Sequence, residues 1–190
     1  MPRNTERRTQ LADAGLAVLA EAGARGLTHR AVDAAAGLPA GTASNYFRTR
    51  DALLGALGER VFERLTPDEA VLEPLSHRQP TIDLVVDYVR YIVERLLGRP
   101  ELSLALFELR LEAARRPGLD EILSRTLRQG FDADVAFHVN AGLPGGAEEV
   151  RLLRFAVDGL VLDQLTPGSG RPYDVDAITT QLVRRLIRED

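Results

Sequence analysis

Residues 40–50 hold the residue types in this chain best suited to recognition chemistry: Ala40, Gly41, Thr42, Ala43, Ser44, Asn45, Tyr46, Phe47, Arg48, Thr49 and Arg50. Small hydroxyls and one carboxamide are followed at once by a phenol and two guanidiniums. A carboxamide can pair with the N6 and N7 edge of adenine, and guanidiniums suit phosphate oxygens, which position a protein on DNA without reading its sequence. Only Ala43 and Phe47 can point inward, so a short helix here gains little by burial but is slim enough for a major groove about 12 Å wide. Arg48 and Arg50 are placed for phosphates. Asn45 is the strongest single base reader. Chemistry of other kinds finds no residues. The chain has no cysteine, and its three histidines, His29, His77 and His138, are far apart, so neither a thiolate nor a metal site is expected. No glycine-rich phosphate loop follows a strand. Acid pairs such as Glu148-Glu149, or Asp132 and Asp134, suit a helix surface. The expectation is a protein without cofactor that is not an enzyme.

The elements that must hold this segment are helical. Leu11, Ala14, Val18, Leu19 and Ala22 keep the 3.6-residue spacing of one buried face, and Gly23 and Gly26 end that helix. Thr28 caps a second short helix through Ala36, and Gly37 stops it. Its alanines let a neighbouring helix approach closely, and Leu38 plugs the angle between the two. The next helix falls between Pro39 and Phe47. Two short helices, a tight turn with glycine and a third helix as buttress make a helix-turn-helix. Thr49 caps a fourth helix with a face of Leu53, Leu54, Leu57, Val61 and Leu65.

From Gly37 through Leu54 the sequence resembles the N-terminal signature of the TetR family of bacterial regulators, and the resemblance extends back through Gly26-Leu27-Thr28 to the first helix. It covers about the first third of the chain. It implies a homodimer, double-stranded operator DNA with two half-sites, and a C-terminal pocket whose small-molecule ligand releases the DNA. Carried over by position, Arg30 falls where a residue reaches a base or phosphate, and Thr28 and His29 where the backbone is contacted. Ala40, Gly41, Thr42, Ser44 and Asn45 occupy groove-facing positions, while Tyr46 and Arg50 match the phosphate-binding ones. Two positions depart from the family's pattern: Pro39 stands where Ser or Thr is frequent, and Ala43-Ser44 where a bulky apolar residue and Tyr are frequent. Ser44 removes a phosphate or thymine-methyl contact, which throws more of the base reading onto Asn45.

The remainder also reads as helix. Ile82, Val85, Val86, Val89, Val93 and Leu96 share a face of one long helix, and others are expected from about Glu101 to Arg115, Gly118 to Asn140, Ala147 to Gln164 and Tyr173 to Glu189. The stretch from Thr66 to Pro80 reads as a junction without sustained period. The expected fold is all-α: a three-helix DNA-binding head over residues 1–57 and a helical bundle for dimerisation and ligand sensing over 58–190. Val150, Leu153, Val157, Leu160 and Val161 form one apolar stripe; Leu152, Phe155, Ala156 and Leu162 extend around the cylinder, and Gly159 permits a close crossing. Ile178, Leu182, Leu186 and Ile187 lie opposite Arg184 and Arg188. Leu153, Val157, Leu160, Val161, Ile178, Leu182 and Leu186 are the expected dimer contacts, in a four-helix bundle about a two-fold axis. Tyr88, Tyr91, Phe107, Arg110, Phe131 and His138 are candidate pocket residues, aromatic walls with a few polar groups.

Charge distribution agrees with the division. Residues 1–60 carry eight arginines against six acids, and residues 61–190 sixteen against twenty-two; a basic head on an acidic body orients toward a polyanion. All 24 basic residues are arginine. No apolar run approaches the roughly 20 residues that span a bilayer, and Met1 to Gln10 lack the apolar core of a signal peptide, so a cytoplasmic protein is expected. The competing reading is an all-helical protein-interaction module that keeps a helix-turn-helix shape.

Overall fold

The structure, a computed structural model, describes residues 2–168, 170 and 172–187, with side chains from Asn4 onward. The described residues form ten α-helices and no strand: α1 Pro2–Gly26, α2 His29–Ala35, α3 Thr42–Tyr46, α4 Arg50–Arg64, α5 Glu69–Ser76, α6 Ile82–Leu97, α7 Pro100–Ala113, α8 Pro117–Asn140, α9 Ala147–Leu165 and α10 Val175–Leu186. The all-α expectation holds. Two compact units divide the chain. The first comprises residues up to Leu65 together with Glu101–Leu127, the second Thr66–Pro100 together with the described residues from Arg128 on.

The first unit is built around α4. Thr49, extended at φ −128°, caps it by accepting from the Ala52 N–H, which satisfies an otherwise orphaned donor. Leu53, Leu54, Leu57 and Val61 are wholly buried. Small residues let other helices close on α4. A Cβ at Gly15 of α1 would stand 2.7 Å from Leu57 Cδ2, and one at Gly55 would stand 3.0 Å from Ile122 Cγ2. Leu102, Leu109, Leu119 and Leu123 complete the apolar interior. Ion pairs fasten the rim: Arg60 makes a two-pronged contact with Asp13 at 2.9 and 3.0 Å, and Arg116 bridges Glu112 at 3.0 Å and Asp51 at 3.3 Å. The hydrogen bond from Arg116, with further help from Arg115, holds the Glu112 carboxyl below its ordinary range. The compact unit therefore runs past Leu57 and includes α7 and the first part of α8, because α4 is buried along most of its length.

In the second unit α6 carries the amphipathic pattern expected of it, with Leu84, Val85, Val86, Val89 and Val93 buried, packed by α9 and α10. Three boundaries differ from expectation. Residues 66–80 contain a short helix, α5, capped by Asp68 with Pro74 inside it and no buried residue, so it leaves no apolar period to read. α3 begins only at Thr42, since Gly41 is left-handed at φ 90°, and Pro39 to Gly41 form the turn. α10 starts at Val175 under an Asp174 cap, with Tyr173 before it; Arg188 and Glu189 lie outside the described residues. No described helix is long and apolar enough to cross a membrane.

Leu57→Ala should lower stability by about 2–5 kcal/mol, since the Leu57 side chain is wholly buried against Gly15. Urea unfolding followed by circular dichroism checks it: the midpoint should fall with an unchanged slope.

Candidate nucleic-acid interface

A helix of five residues has almost no internal hydrogen bonding, and its leading N–H groups need outside acceptors. Gly41 supplies no capping side chain to α3. Asp33 of α2 does the work from across the turn: Oδ2 accepts from the Gly41 N–H at 2.7 Å and Oδ1 from the Ala43 N–H at 2.6 Å, with the residue only 2% exposed. Bonds from N–H groups to a carboxylate are stronger than neutral ones, and a negative charge at a helix N-terminus is favourable. The C-terminal end is held by His29, whose Nε2 lies 2.7 Å from the Phe47 carbonyl oxygen. Ala43 and Phe47 point inward and are buried as expected, and the Arg8 guanidinium covers the Phe47 ring at 5.1 Å. Sequence reasoning missed Asp33. The signal was present, since Asp33 is the only charged side chain between Arg30 and Arg48.

With its inner face so fixed, the outer face of α3 is polar. Ser44 and Asn45 are exposed, Thr42 and Tyr46 half-buried, and Ala40 and Arg48 exposed beside them. Thr42 and Ser44 donate their hydroxyl protons to the carbonyls of Pro39 and Gly41, leaving oxygen lone pairs outward. Asn45 and Tyr46 join Asn4, Thr5 and Arg8 of α1 in lining an open groove of about 540 Å³. Thr28 caps α2 by accepting from the Ala31 N–H at 3.1 Å, and Arg30 is exposed on the same helix. Arg30 is not spent on nearby acids: Asp33 serves α3, and Asp13 pairs with Arg60 and Arg64.

Arg50 departs from its expected placement toward phosphate. Its Nη1 donates to the Leu27 carbonyl and its Nη2 to the Ala24 carbonyl. The reason is the break in α1 at Gly23, φ 63°, ψ −176°, after which the helix end leaves carbonyls in need of donors. A cation there also complements the helix dipole. Glu108 of α7 completes the joint by accepting from the Ala24 N–H at 3.0 Å.

The six candidate pocket residues do not gather in one unit. Phe107 and Arg110 lie in the first, Tyr88, Tyr91, Phe131 and His138 in the second. His138 is 6% exposed and its Nε2 lies 2.8 Å from the Pro144 carbonyl oxygen, so it staples the turn after α8. Tyr88 packs edge-on to Phe137 at 5.1 Å, and burial pushes its phenol above the ordinary range. Tyr91 accepts from the Asp68 N–H at 2.6 Å, and Phe131 lies beneath Arg151.

The expected dimer stripe is also corrected. Leu153, Val157, Leu160 and Val161 are buried within the chain itself. The side of α9 left open carries Leu152, 40% exposed, Phe155, 62%, and Leu162, 42%, with open space around Gly159. Ile178, Leu182 and Leu186 of α10 are half-buried. Among the described residues no cluster of three potential metal ligands occurs.

Two short helices joined by a glycine turn, a buttressing first helix and an outward hydrogen-bonding face on the second of the pair define a helix-turn-helix DNA-binding regulator. Residues 11–57 match the family described as bacterial regulatory proteins, tetR family, and residues 80–189 match the tetracyclin repressor-like C-terminal domain. The chain belongs to the TetR family, whose members bind operator DNA as dimers and respond to small-molecule effectors. Three solved structures are similar along nearly the whole length. The multidrug binding protein EbrR complexed with imidazole is 28% identical, with 97% of this chain and 96% of that one covered and a TM-score of 0.73. EbrR complexed with ethidium is 27% identical over 96% and 99%, TM-score 0.73. A TetR-family member from Streptomyces coelicolor A3 is 27% identical over 97% and 99%, TM-score 0.73. No curated protein matches the chain significantly.

Asp33→Ala should loosen α3 and cost about 1–3 kcal/mol for each N–H left unsatisfied; Asp33→Asn, which keeps one acceptor oxygen, should cost less. Chemical denaturation with operator affinity measured in parallel checks the order wild type, Asn, Ala.

Proposed function

We propose that this regulator is a repressor released from its operator by a small-molecule effector, with residues 1–57 reading DNA and residues 58–190 dimerising and sensing. The observation that carries the DNA assignment is the outward face of α3, polar along Thr42, Ser44 and Asn45, on a helix fixed by the buried Asp33. Asn45 reads a base edge. Thr42 and Ser44 approach neighbouring bases, and Ala40 and Gly41 let the turn come close to the sugar-phosphate backbone. Tyr46, Arg48 and the exposed Arg30 pair with phosphates, together with the backbone at Thr28 and His29. Arg50 serves by holding the end of α1. The groove beside Asn45 brings Asn4 and Thr5 to the same surface, which extends the footprint onto α1.

One five-residue helix reaches too few bases for useful specificity, so two copies must act together, their reading helices roughly 34–36 Å apart for successive major grooves. The dimer contact that fits the burial pattern is the open face of α9, Leu152, Phe155, Gly159 and Leu162, flanked by Ile178, Leu182 and Leu186. An apolar face of this kind on a soluble chain needs covering. EbrR, complexed with ethidium in one structure and imidazole in another, supports a small-molecule effector here too. Release follows where the effector prefers the non-binding arrangement, with coupling of about 1–3 kcal/mol typical. The protein works in the cytoplasm, where its DNA is, and catalyses no reaction.

Purified protein should bind DNA upstream of its own gene with an affinity that falls steeply with salt, and scrambled DNA weakly. Asn45→Ala should cost about 1–3 kcal/mol, confined to one base position. Arg48→Ala should weaken binding to all sequences and flatten the salt slope by about 1. Titrations at several salt concentrations check both; equal losses on operator and scrambled DNA for Asn45→Ala would overturn its reading role.

Phe155→Asp should yield a folded monomer with little operator affinity, seen by sedimentation at concentrations where the wild type is dimeric. A dimeric Phe155→Asp protein would send the interface elsewhere.

A further inference from the structure

Arg95, on α6, is a half-buried cation outside the six candidate pocket residues. Its guanidinium lies over the Tyr91 ring at 5.4 Å. Its Nε and Nη1 are shut off from solvent and meet no hydrogen-bond acceptor among the described residues, while the guanidinium also hydrogen-bonds the Tyr91 side chain. A buried guanidinium normally finds a carboxylate or carbonyl, because unpaired donors of a desolvated cation are costly. Arg90, five residues earlier on α6, has a carboxylate close by: it is paired with Asp176 and bonded to Thr180.

The carboxylate acting on Arg95 is Asp134 of α8, and it is divided between two cations. Arg154 of α9 approaches Asp134 Oδ2 at 3.5 Å, while the Asp134 side chain remains 63% exposed. One turn before Asp134, Phe131 carries the Arg151 guanidinium over its ring at 5.1 Å. Three helices of the second unit thus bring together Arg95, Arg151 and Arg154, two aromatic rings, and one shared carboxylate on the open side.

We infer that this cluster recognises the acid group of the effector: the regulator senses an anionic small molecule, whose carboxylate or phosphate accepts from the Arg95 guanidinium and whose flat apolar body lies against Tyr91 and Phe131. The inference rests on the reading that residues 58–190, which contain this cluster, do the sensing. Charge-assisted bonds to a guanidinium are strong in a desolvated place, and stacked rings add area at little entropic cost. Asp134 competes with the incoming acid for the same cations and so sets a threshold for binding.

The test uses the full-length protein and a matched set of probes: 2-naphthoate, 2-naphthyl phosphate, neutral 2-naphthamide and cationic 2-naphthylmethylammonium, each titrated by calorimetry. One of the two acids should bind at least about tenfold more tightly than the amide, with the ammonium weakest; which acid wins identifies the head group. Arg95→Gln should erase the preference and Arg95→Lys keep part of it. Asp134→Asn, which removes the competing charge and keeps the shape, should strengthen acid binding, and this holds the test open should Arg95→Gln fail to fold by circular dichroism. Equal affinity for acid and amide, no saturation by either acid at about 5 mM, or an unchanged preference in folded Arg95→Gln would overturn the site. Acid binding that leaves operator affinity untouched would overturn the effector role while the anion site itself stood.

Discussion

The two bonds from Asp33 to the N–H groups of Gly41 and Ala43 are the constraint on which the reading surface depends. α3 is too short to hold its own shape, because helix nucleation is unfavourable and a five-residue helix has little propagation to offset it. Its sequence gives up apolar area so that Thr42, Ser44 and Asn45 can face outward. What fixes it instead is a buried carboxylate at one end, the His29 ring on the Phe47 carbonyl at the other, and the inward Ala43 and Phe47 between them. Two bonds accepted by a desolvated carboxylate are directional as well as strong. They set the orientation of every outward side chain.

A second joint ties this surface to helices far along the chain. α1 breaks at Gly23, and the exposed backbone groups beyond the break are claimed from two directions, by Arg50 at the start of α4 and by Glu108 of α7. Arg116 then links the end of α7 to Asp51, the residue after Arg50. The first unit is therefore one hydrogen-bonded body that includes α7. A displacement of α7 would reach the end of α1 and the start of α4 together, through Glu108 and Arg116. This is a physical route of the kind that coupling between a sensing site and a DNA-reading one requires.

The second unit solves a different problem. α9 is apolar on two sides, and the chain covers one of them with its own helices, leaving Leu152, Phe155 and Leu162 open. α6 buries its regular stripe yet also carries Arg95, a half-buried cation with two solvent-excluded nitrogens that meet no acceptor among the described residues. Buried charge weakens a core unless it is paired, so a sensing role gives a reason for its presence that packing alone does not.

The sequence by itself determined the class of fold and most of the helices. The periodic stripes of α4 and α6, the threonine caps at Thr28 and Thr49 and the glycine stops at Gly23 and Gly37 are local signals, set by backbone geometry and 3.6-residue spacing; in α1 the buried face falls on Leu11, Ala12, Leu16 and Leu19, with Ala22 exposed. The composition of the stretch from Thr42 to Tyr46, and its resemblance to a known signature, were legible for the same reason. Tertiary structure alone decided where side chains that could go either way were spent. Arg50 reads as a phosphate ligand until the break in α1 presents it with two carbonyls, and Asp33 acquires its role only once the turn brings the Gly41 and Ala43 N–H groups against it. The two stripes of α9 are equally apolar in sequence, and only the packing of α6 and α10 chose Leu153, Val157, Leu160 and Val161 for the interior. Hydrogen-bond partners and buried faces depend on residues distant in the chain, and no local pattern encodes which of them will arrive.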